Sequence, residues 1–284
     1  SVGCSVKILV RNNRVVRIEG DWEGSVNHGL LCEHGRYDPM NESRVRITTP
    51  QMRKNGKLEP VSWDEALDAL AEKFKPLAGK KNSVAALAST RLPAEALALF
   101  KALFAEKFKS GMVTSLEEGV PTAAVAEFAA KNGAFEGKLD VLKNADTVLC
   151  MGANLYRSHM VAGFLFKRNL PKGAHMLTVA PDVDELDYLA NTALKIKTGS
   201  DLAVIKGLQA VIVKEGLARS PLKLSNPDKL IEQAVGESGV AQDSLVQAAQ
   251  MLARSIAPVI VYGKGVTSQR DSALVEELHR LAVL

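Results

Sequence analysis

Cysteine is scarce, with three in 284 residues. So small and odd a number excludes the disulfide framework of a secreted mini-fold and makes a reducing, cytoplasmic setting the expectation. No apolar run approaches the roughly 18 to 20 unbroken residues of a membrane helix, so direct insertion into a bilayer is not expected. Charge of one sign is also missing: 36 basic residues against 32 acidic ones leave a net charge of +4. The cations are spread along the chain without the basic stripe of a nucleic-acid binder, so no nucleic-acid partner is expected. There is no Walker loop, no His-Glu-x-x-His and no Ser/His/Asp or Cys/His grouping, which removes hydrolase and kinase readings. An initiator Met is absent too, and the expectation is an excerpt of a longer subunit whose targeting information lies elsewhere.

What is present is an ordinary globular composition, 46% hydrophobic and 24% charged, on a chain long enough for a substantial core. Residues 5–19 alternate, with Val6, Ile8 and Val10 on one face and Val15, Val16 and Ile18 returning after Asn12-Asn13, which predicts a β-hairpin. From Gly20 to about Lys57, Gly, Pro and Asn with turn signals at Asp38-Pro39 and Thr49-Pro50 predict little regular structure. Ser62 and Glu65 form a capping box at the start of a helix whose stripe of Ala66, Leu67, Leu70, Ala71 and Phe74 ends near Pro76. Strands are then expected at 83–88, 147–151, 175–179, 194–196 and 258–262. Helices are expected at 93–108, 121–132, 159–169, 201–215, 227–254 with a turn at 236–239, and from 271 onward. That alternation predicts an α/β fold: a doubly wound, mostly parallel sheet over 56–284 with a small β-rich cap over 1–55.

Ligands of open α/β sheets bind outside the carboxyl ends of the strands, where helix N-termini converge. Met151-Gly152-Ala153-Asn154 follows one predicted strand and leads to a helix with His159; Ala180-Pro181-Asp182 ends the next. Thr198-Gly199-Ser200-Asp201 opens a helix, and Tyr262-Gly263-Lys264-Gly265 follows the last strand. Gly152 lacks a Cβ where a backbone has to come close, and Asn154 offers a donor and an acceptor. Each has a plainer reading: ordinary strand-to-helix turns, with Asp201 as an N-cap. Thiolates are soft ligands that hold iron–sulfur iron, four per cubane, and Cys4 and Cys32 supply two. The plainer alternative is a pair of idle thiols. Zinc with His28 or His34 has unsuitable spacing, and Cys150 sits in an apolar strand as a core residue.

The words around the two cysteines, Ser-Val-Gly-Cys-Ser and Val-Asn-His-Gly-Leu-Leu-Cys-Glu-His-Gly-Arg-Tyr at 26–37, resemble the iron–sulfur segment of the molybdopterin oxidoreductase family. The resemblance implies that Cys4 and Cys32 are the third and fourth ligands of a 4Fe–4S cluster in the full-length protein. The first two would lie ahead of Ser1, so the chain alone is expected to hold no stable cubane. His34 stands where catalytic members carry a Lys between cluster and pterin. Gly152, Asn154 and His159 resemble the segment that approaches molybdopterin guanine dinucleotide, with Met160 replacing a Pro. Asp182 stands in a segment that has lost its phosphate-pairing arginine. Gly199 and Asp201 resemble the stretch near the guanine, and Gly263 and Gly265 the Gly-x-Gly turn. Alignment on Pro121-Thr122 puts Glu118 where formate dehydrogenase-type enzymes carry a metal-binding Cys or selenocysteine.

These departures make the resemblance greater to the large iron–sulfur subunit of NADH:quinone oxidoreductase than to a formate dehydrogenase. The implied function is a domain that relays electrons through a 4Fe–4S cluster beside a degenerate pterin pocket. Its implied partners are other subunits of a redox complex, through which it would lie peripheral to the membrane. Two alternatives stay open: a catalytic molybdopterin guanine dinucleotide enzyme such as a formate dehydrogenase, and a non-redox scaffold with idle cysteines.

Overall fold

The computed structural model describes residues 2–89, 92–115, 119–133, 137–183, 185–269 and 272–284. The chain divides into two units, Ser1–Asn41 with Val120–Leu284, and Glu42–Gly119.

The first segment opens with the antiparallel hairpin β1 (Val6–Arg11) and β2 (Arg14–Gly20). Asn12 and Asn13 both take positive φ, 49° and 58°, as a type I′ turn requires. The apolar face expected of Val6, Ile8 and Val10 is nonetheless exposed; only Ile18 and Gly20, at the foot of β2, are buried. Helix α1 (Glu33–Asn41) forms where little regular structure was expected, and Pro39 lies inside it rather than in a turn. Cys32 stands just ahead of it, and its sulfur accepts the Gly35 amide at 3.4 Å, taking up a donor that the first turn leaves without a partner.

In the second unit, β3 (Gln51–Lys54) and β4 (Lys57–Pro60) form another hairpin in the stretch expected to be irregular. Asn55-Gly56 at its tip, φ 50° and 83°, is a strong type I′ signal that the density of Pro and charge around it obscures. Helix α2 (Trp63–Phe74) starts as expected, the Ser62 hydroxyl accepting the Glu65 amide at 3.1 Å. Glu65 does not complete the capping box, because its carboxylate pairs with Lys54 at 2.8 Å. The strand expected at 83–88 contracts to β5 (Ala86–Ala88), paired in parallel with an unforeseen β6 (Val113–Ser115). The helix between them is α3 (Ala94–Lys101), which widens into a π-helical stretch, Ala102–Lys107; Phe104 and Phe108 stack there, with Phe100 and Phe74 tilted against them.

The rest of the chain builds the main sheet. In order come α4 (Gly119–Asn132), α5 (Val141–Asn144), β7 (Thr147–Met151), α6 (Met160–Lys167), β8 (His175–Ala180) and β9 (Thr192–Lys195). They are followed by α7 (Asp201–Lys214), α8 (Pro227–Ser238), α9 (Gln242–Arg254), β10 (Pro258–Tyr262), α10 (Lys264–Thr267) and α11 (Ser272–Val283). Gly239, left-handed at φ 77°, separates α8 from α9 at the end of the turn expected at 236–239, although the helix runs on through Ser238. All four strands are parallel, in the order β10-β7-β8-β9.

Helices cover both faces, so β7 is buried along its whole length and carries an unbroken apolar run. Val148, Cys150 and Met176 pack with Leu165 and Phe166 of α6; Leu149, Met151, Leu177 and Val179 pack with residues of α7, α9 and α11. Full burial of such a side chain contributes roughly 1.5–3 kcal/mol. The chain steps from β7 to β8 to β9 in one direction and then places β10 on the other side of β7. Strand order therefore reverses between β7 and β10, so their carboxyl ends mark the topological switch point at which open α/β sheets bind ligands.

Candidate functional site

At that switch point the turns after β7 and β10 are pressed together. Gly152, left-handed at φ 56°, donates its amide to the Val179 carbonyl at 3.1 Å and accepts the Gly265 amide at 2.9 Å. Gly263 donates to the Met151 carbonyl at 3.1 Å. A Cβ on Gly152 would lie 2.8 Å from the Val266 nitrogen, and one on Gly265 would lie 2.7 Å from the Gly152 Cα. A Cβ on Gly263 would meet the Gly152 carbonyl oxygen at 2.7 Å. The close backbone approach anticipated at Gly152 is thus met first by the protein's own Gly263–Gly265 turn.

Asp201 is the first residue of α7 and is buried; Ser200, not Asp201, holds the N-cap position. Gln269 ties Asp201 to the switch point. Its side-chain amide donates to Asp201 Oδ2 at 2.6 Å and to the Gly265 carbonyl at 2.7 Å. Sequence reasoning missed Gln269 because it lies far along the chain from Asp201 in a segment without a motif. Gly199, φ 86°, sits in open space.

Asn154 turns its acceptor onto its own loop, where Oδ1 takes the amides of Tyr156 at 2.9 Å and Arg157 at 2.7 Å. Arg157 Nε donates to Glu185 at 2.5 Å. The Glu185 backbone amide, and beyond it Arg157 and Asn154, hold that carboxyl below its ordinary range. These residues with Val183 and Tyr188 line a cleft of about 370 Å³. Asp182 is exposed beside it, and its carbonyl accepts Lys195 Nζ at 2.7 Å. His159 lies just outside α6 rather than within it, because its φ and ψ of −136° and 50° are not helical.

Around the cysteines the organising residue is Asn27, fully buried. Its Oδ1 accepts the Ser5 amide at 2.8 Å, while Nδ2 donates to the Ser5 carbonyl at 3.1 Å and the Leu30 carbonyl at 2.7 Å. It thereby stitches the residue after Cys4 to the strand of chain entering Cys32. Both cysteines are half-buried. Burial pushes the Cys4 thiol up, and the nearby Cys32 sulfur adds to the shift. Two soft sulfurs placed in mutual electrostatic reach fit half the donor set of a cubane cluster. Among the described residues no group of three or more His, Cys, Asp or Glu side chains could hold a metal, so His28 and His34 complete no zinc site. His34 is exposed and contacts Asp38 at 3.0 Å on its own helix, and His28 contacts Asp140 at 3.3 Å. Cys150 is core, as expected, with its thiol donating to the Ala153 carbonyl at 3.0 Å. Glu118 lies outside the described residues; Pro121 and Thr122 fall in α4.

Fold and site together define a doubly wound α/β protein with glycine turns packed at its switch point and a cysteine-bearing N-terminal segment. Residues 46–284 match the family described as molybdopterin oxidoreductase, and residues 1–38 match the molybdopterin oxidoreductase Fe4S4 domain. The chain belongs to the molybdopterin oxidoreductase family.

It is 34% identical to a nitrate reductase of Symbiobacterium thermophilum over 76% of this chain and 30% of that one. It is 30% identical to formate dehydrogenase H of Escherichia coli over 99% of this chain and 43% of that one. An NADH-quinone oxidoreductase subunit of Rhizobium meliloti is 30% identical over 76% of this chain and 26% of its own length. Acetylene hydratase from Pelobacter acetylenicus shares the fold with a TM-score of 0.77 at 18% identity, across 99% of this chain and 42% of that one. The chain therefore spans less than half the length of these relatives. Among the described residues no helix is long and apolar enough to cross a membrane.

Proposed function

We propose that the chain is part of an electron-transfer subunit of a redox complex, comparable to the related subunit of NADH-quinone oxidoreductase. In this reading it carries two ligands of a 4Fe–4S cluster beside a degenerate pterin pocket. The observation that carries the reading is the Asn27 clamp, which brings the Cys4 and Cys32 segments together without a disulfide.

Cys4 and Cys32 would hold iron with two thiolates supplied from elsewhere, and the cluster would supply one-electron transfer. The Gly35 amide on the Cys32 sulfur is the kind of contact that tunes a cluster's potential. Gly152, Asn154, His159, Asp182, Gly199, Asp201, Gly263 and Gly265 would face the dinucleotide, and His34 would stand on the electron path. That His34 and Asn154 are engaged by their own helix and loop supports a degenerate site over a working one. As modules, residues 1–55 form the cap and 56–284 the dinucleotide-type domain. Other subunits of the complex would be its partners, on the cytoplasmic side of a membrane.

A second reading, a catalytic molybdopterin guanine dinucleotide enzyme, is favoured by the 30% identity to formate dehydrogenase H across 99% of the chain. Iron, sulfide, molybdenum and pterin assayed in the anaerobically purified full-length protein separate the two. Iron and sulfide without molybdenum are expected; stoichiometric molybdenum and pterin with substrate oxidation would establish the second reading, and absence of iron would leave only a scaffold.

A further inference from the structure

The hairpin of β1 and β2 is bare for most of its length. Ile8 is 56% exposed, Val10 59%, Val15 46% and Val16 54%, and only the foot of β2 is buried. A two-stranded ribbon with an unpacked apolar face is marginal in water and is stabilised by a further strand or a packed element. Among the described residues this sheet has two strands and no third.

Pairing sorts its side chains by chemistry. Ile8 opposes Ile18 and Val10 opposes Val15, which puts an apolar set on one face. Leu9 opposes Arg17 and Arg11 opposes Arg14, with Lys7 on the same side, which puts the cations on the other. From Ser5 to Ile18 the sequence has no carboxylate at all. Lys7 pairs with Asp21 and Arg17 with Glu19, whereas Arg11 and Arg14, at the tip, carry no ion pair among the described residues.

We propose that the outer edge of β1 is a docking site for an extended segment of a partner polypeptide in which acidic and apolar residues alternate. Added as a third strand, such a segment has the same period of two. Its apolar side chains fall beside Ile8 and Val10, and its carboxylates beside Lys7 and Arg11, the two cations that β1 itself carries. A second copy of this chain does not fit, because its hairpin would set arginine against arginine. The inference does not depend on the cluster reading, since it uses no cysteine.

The test immobilises the peptide Glu-Val-Glu-Ile-Glu-Val and its counterpart Lys-Val-Lys-Ile-Lys-Val and measures binding of the whole chain at low salt, with hydrogen exchange on the bound state. The acidic peptide is expected to bind about tenfold tighter or more, to weaken with salt, and to protect amides of β1. The double variant R11E/R14E, which alters only exposed tip residues, is expected to reverse the preference. Equal affinity for the two peptides, protection that appears outside β1, or an R11E/R14E variant that binds unchanged would overturn the proposal. Binding to phosphatidylserine vesicles without binding to the acidic peptide would also overturn it and reassign the face to a lipid surface.

Discussion

Asn27 engages both backbone groups of Ser5, accepting its N–H at 2.8 Å and returning a donor to its carbonyl at 3.1 Å. A primary amide can do this because it presents an acceptor and two donors in one plane, and its third bond reaches Leu30.

Replacing Asn27 with Ala therefore removes the side-chain partner of the Ser5 amide and of the Leu30 carbonyl, while the Ser5 carbonyl keeps the Asp21 amide at 3.0 Å. The N27A variant is expected to lose roughly 1–3 kcal/mol of stability, read as a lower urea midpoint, since two partly buried groups lose hydrogen bonds worth about 0.5–1.5 kcal/mol each. In full-length protein the same variant should bind less iron. An N27A protein with wild-type stability would show that the clamp is incidental.

Gly265 and Gly199 offer a matched pair. At Gly265 an added methyl meets backbone at 2.7 Å, whereas at Gly199 it meets open space on a φ of 86°. G265A is expected to cost more than about 3 kcal/mol, because packed backbone has to shift, and G199A only about 1 kcal/mol from strained φ. Equal losses in chemical denaturation would contradict the turn-against-turn contact.

Asp146 makes the fold sensitive to acid. Burial pushes its carboxyl up, but the Ser255 hydroxyl and the amides of Ile256 and Ala257 outweigh this and leave it below the ordinary value. A depressed folded value means that the stabilisation is present above the unfolded carboxylate range, near 3.9, and is lost as pH falls through the folded value. Titrating thermal stability from pH 7 down to pH 2 should show a smaller acid loss in D146N than in wild type, with D146N less stable at neutral pH.

Gln269 joins Asp201 to Gly265 through one nitrogen. Truncation in Q269A is expected to cost about 1–2 kcal/mol. Q269E should be worse at neutral pH, because it sets a second carboxylate against buried Asp201, and should recover partly as pH falls. A Q269E variant indifferent to pH would argue that the two groups do not meet.

Local signals were readable wherever one short stretch carries its own partner. Ser62 caps α2 because its acceptor lies three residues away, Asn12-Asn13 forms its turn without outside help, and β7 announces double burial by five consecutive apolar or small residues. Turn chemistry was readable but outweighed at Asn55-Gly56, where surrounding Pro and charge suggested an irregular stretch. Helix α1 escaped because Pro39 argues against a helix, yet the Cys32 sulfur secures its first turn.

The remaining relationships join residues far apart in the chain: Asn27 with Ser5, Gln269 with Asp201, Arg157 with Glu185, and Gly152 with Gly265. By itself the amino-acid order determined the alternation of strands and helices, the family, and the residues placed at strand ends, because periodicity and capping act within a few residues. Only the tertiary structure decided which strand ends face each other and which side chains complete their hydrogen bonds, because these depend on β10 crossing to the far side of β7 and on register set by packing.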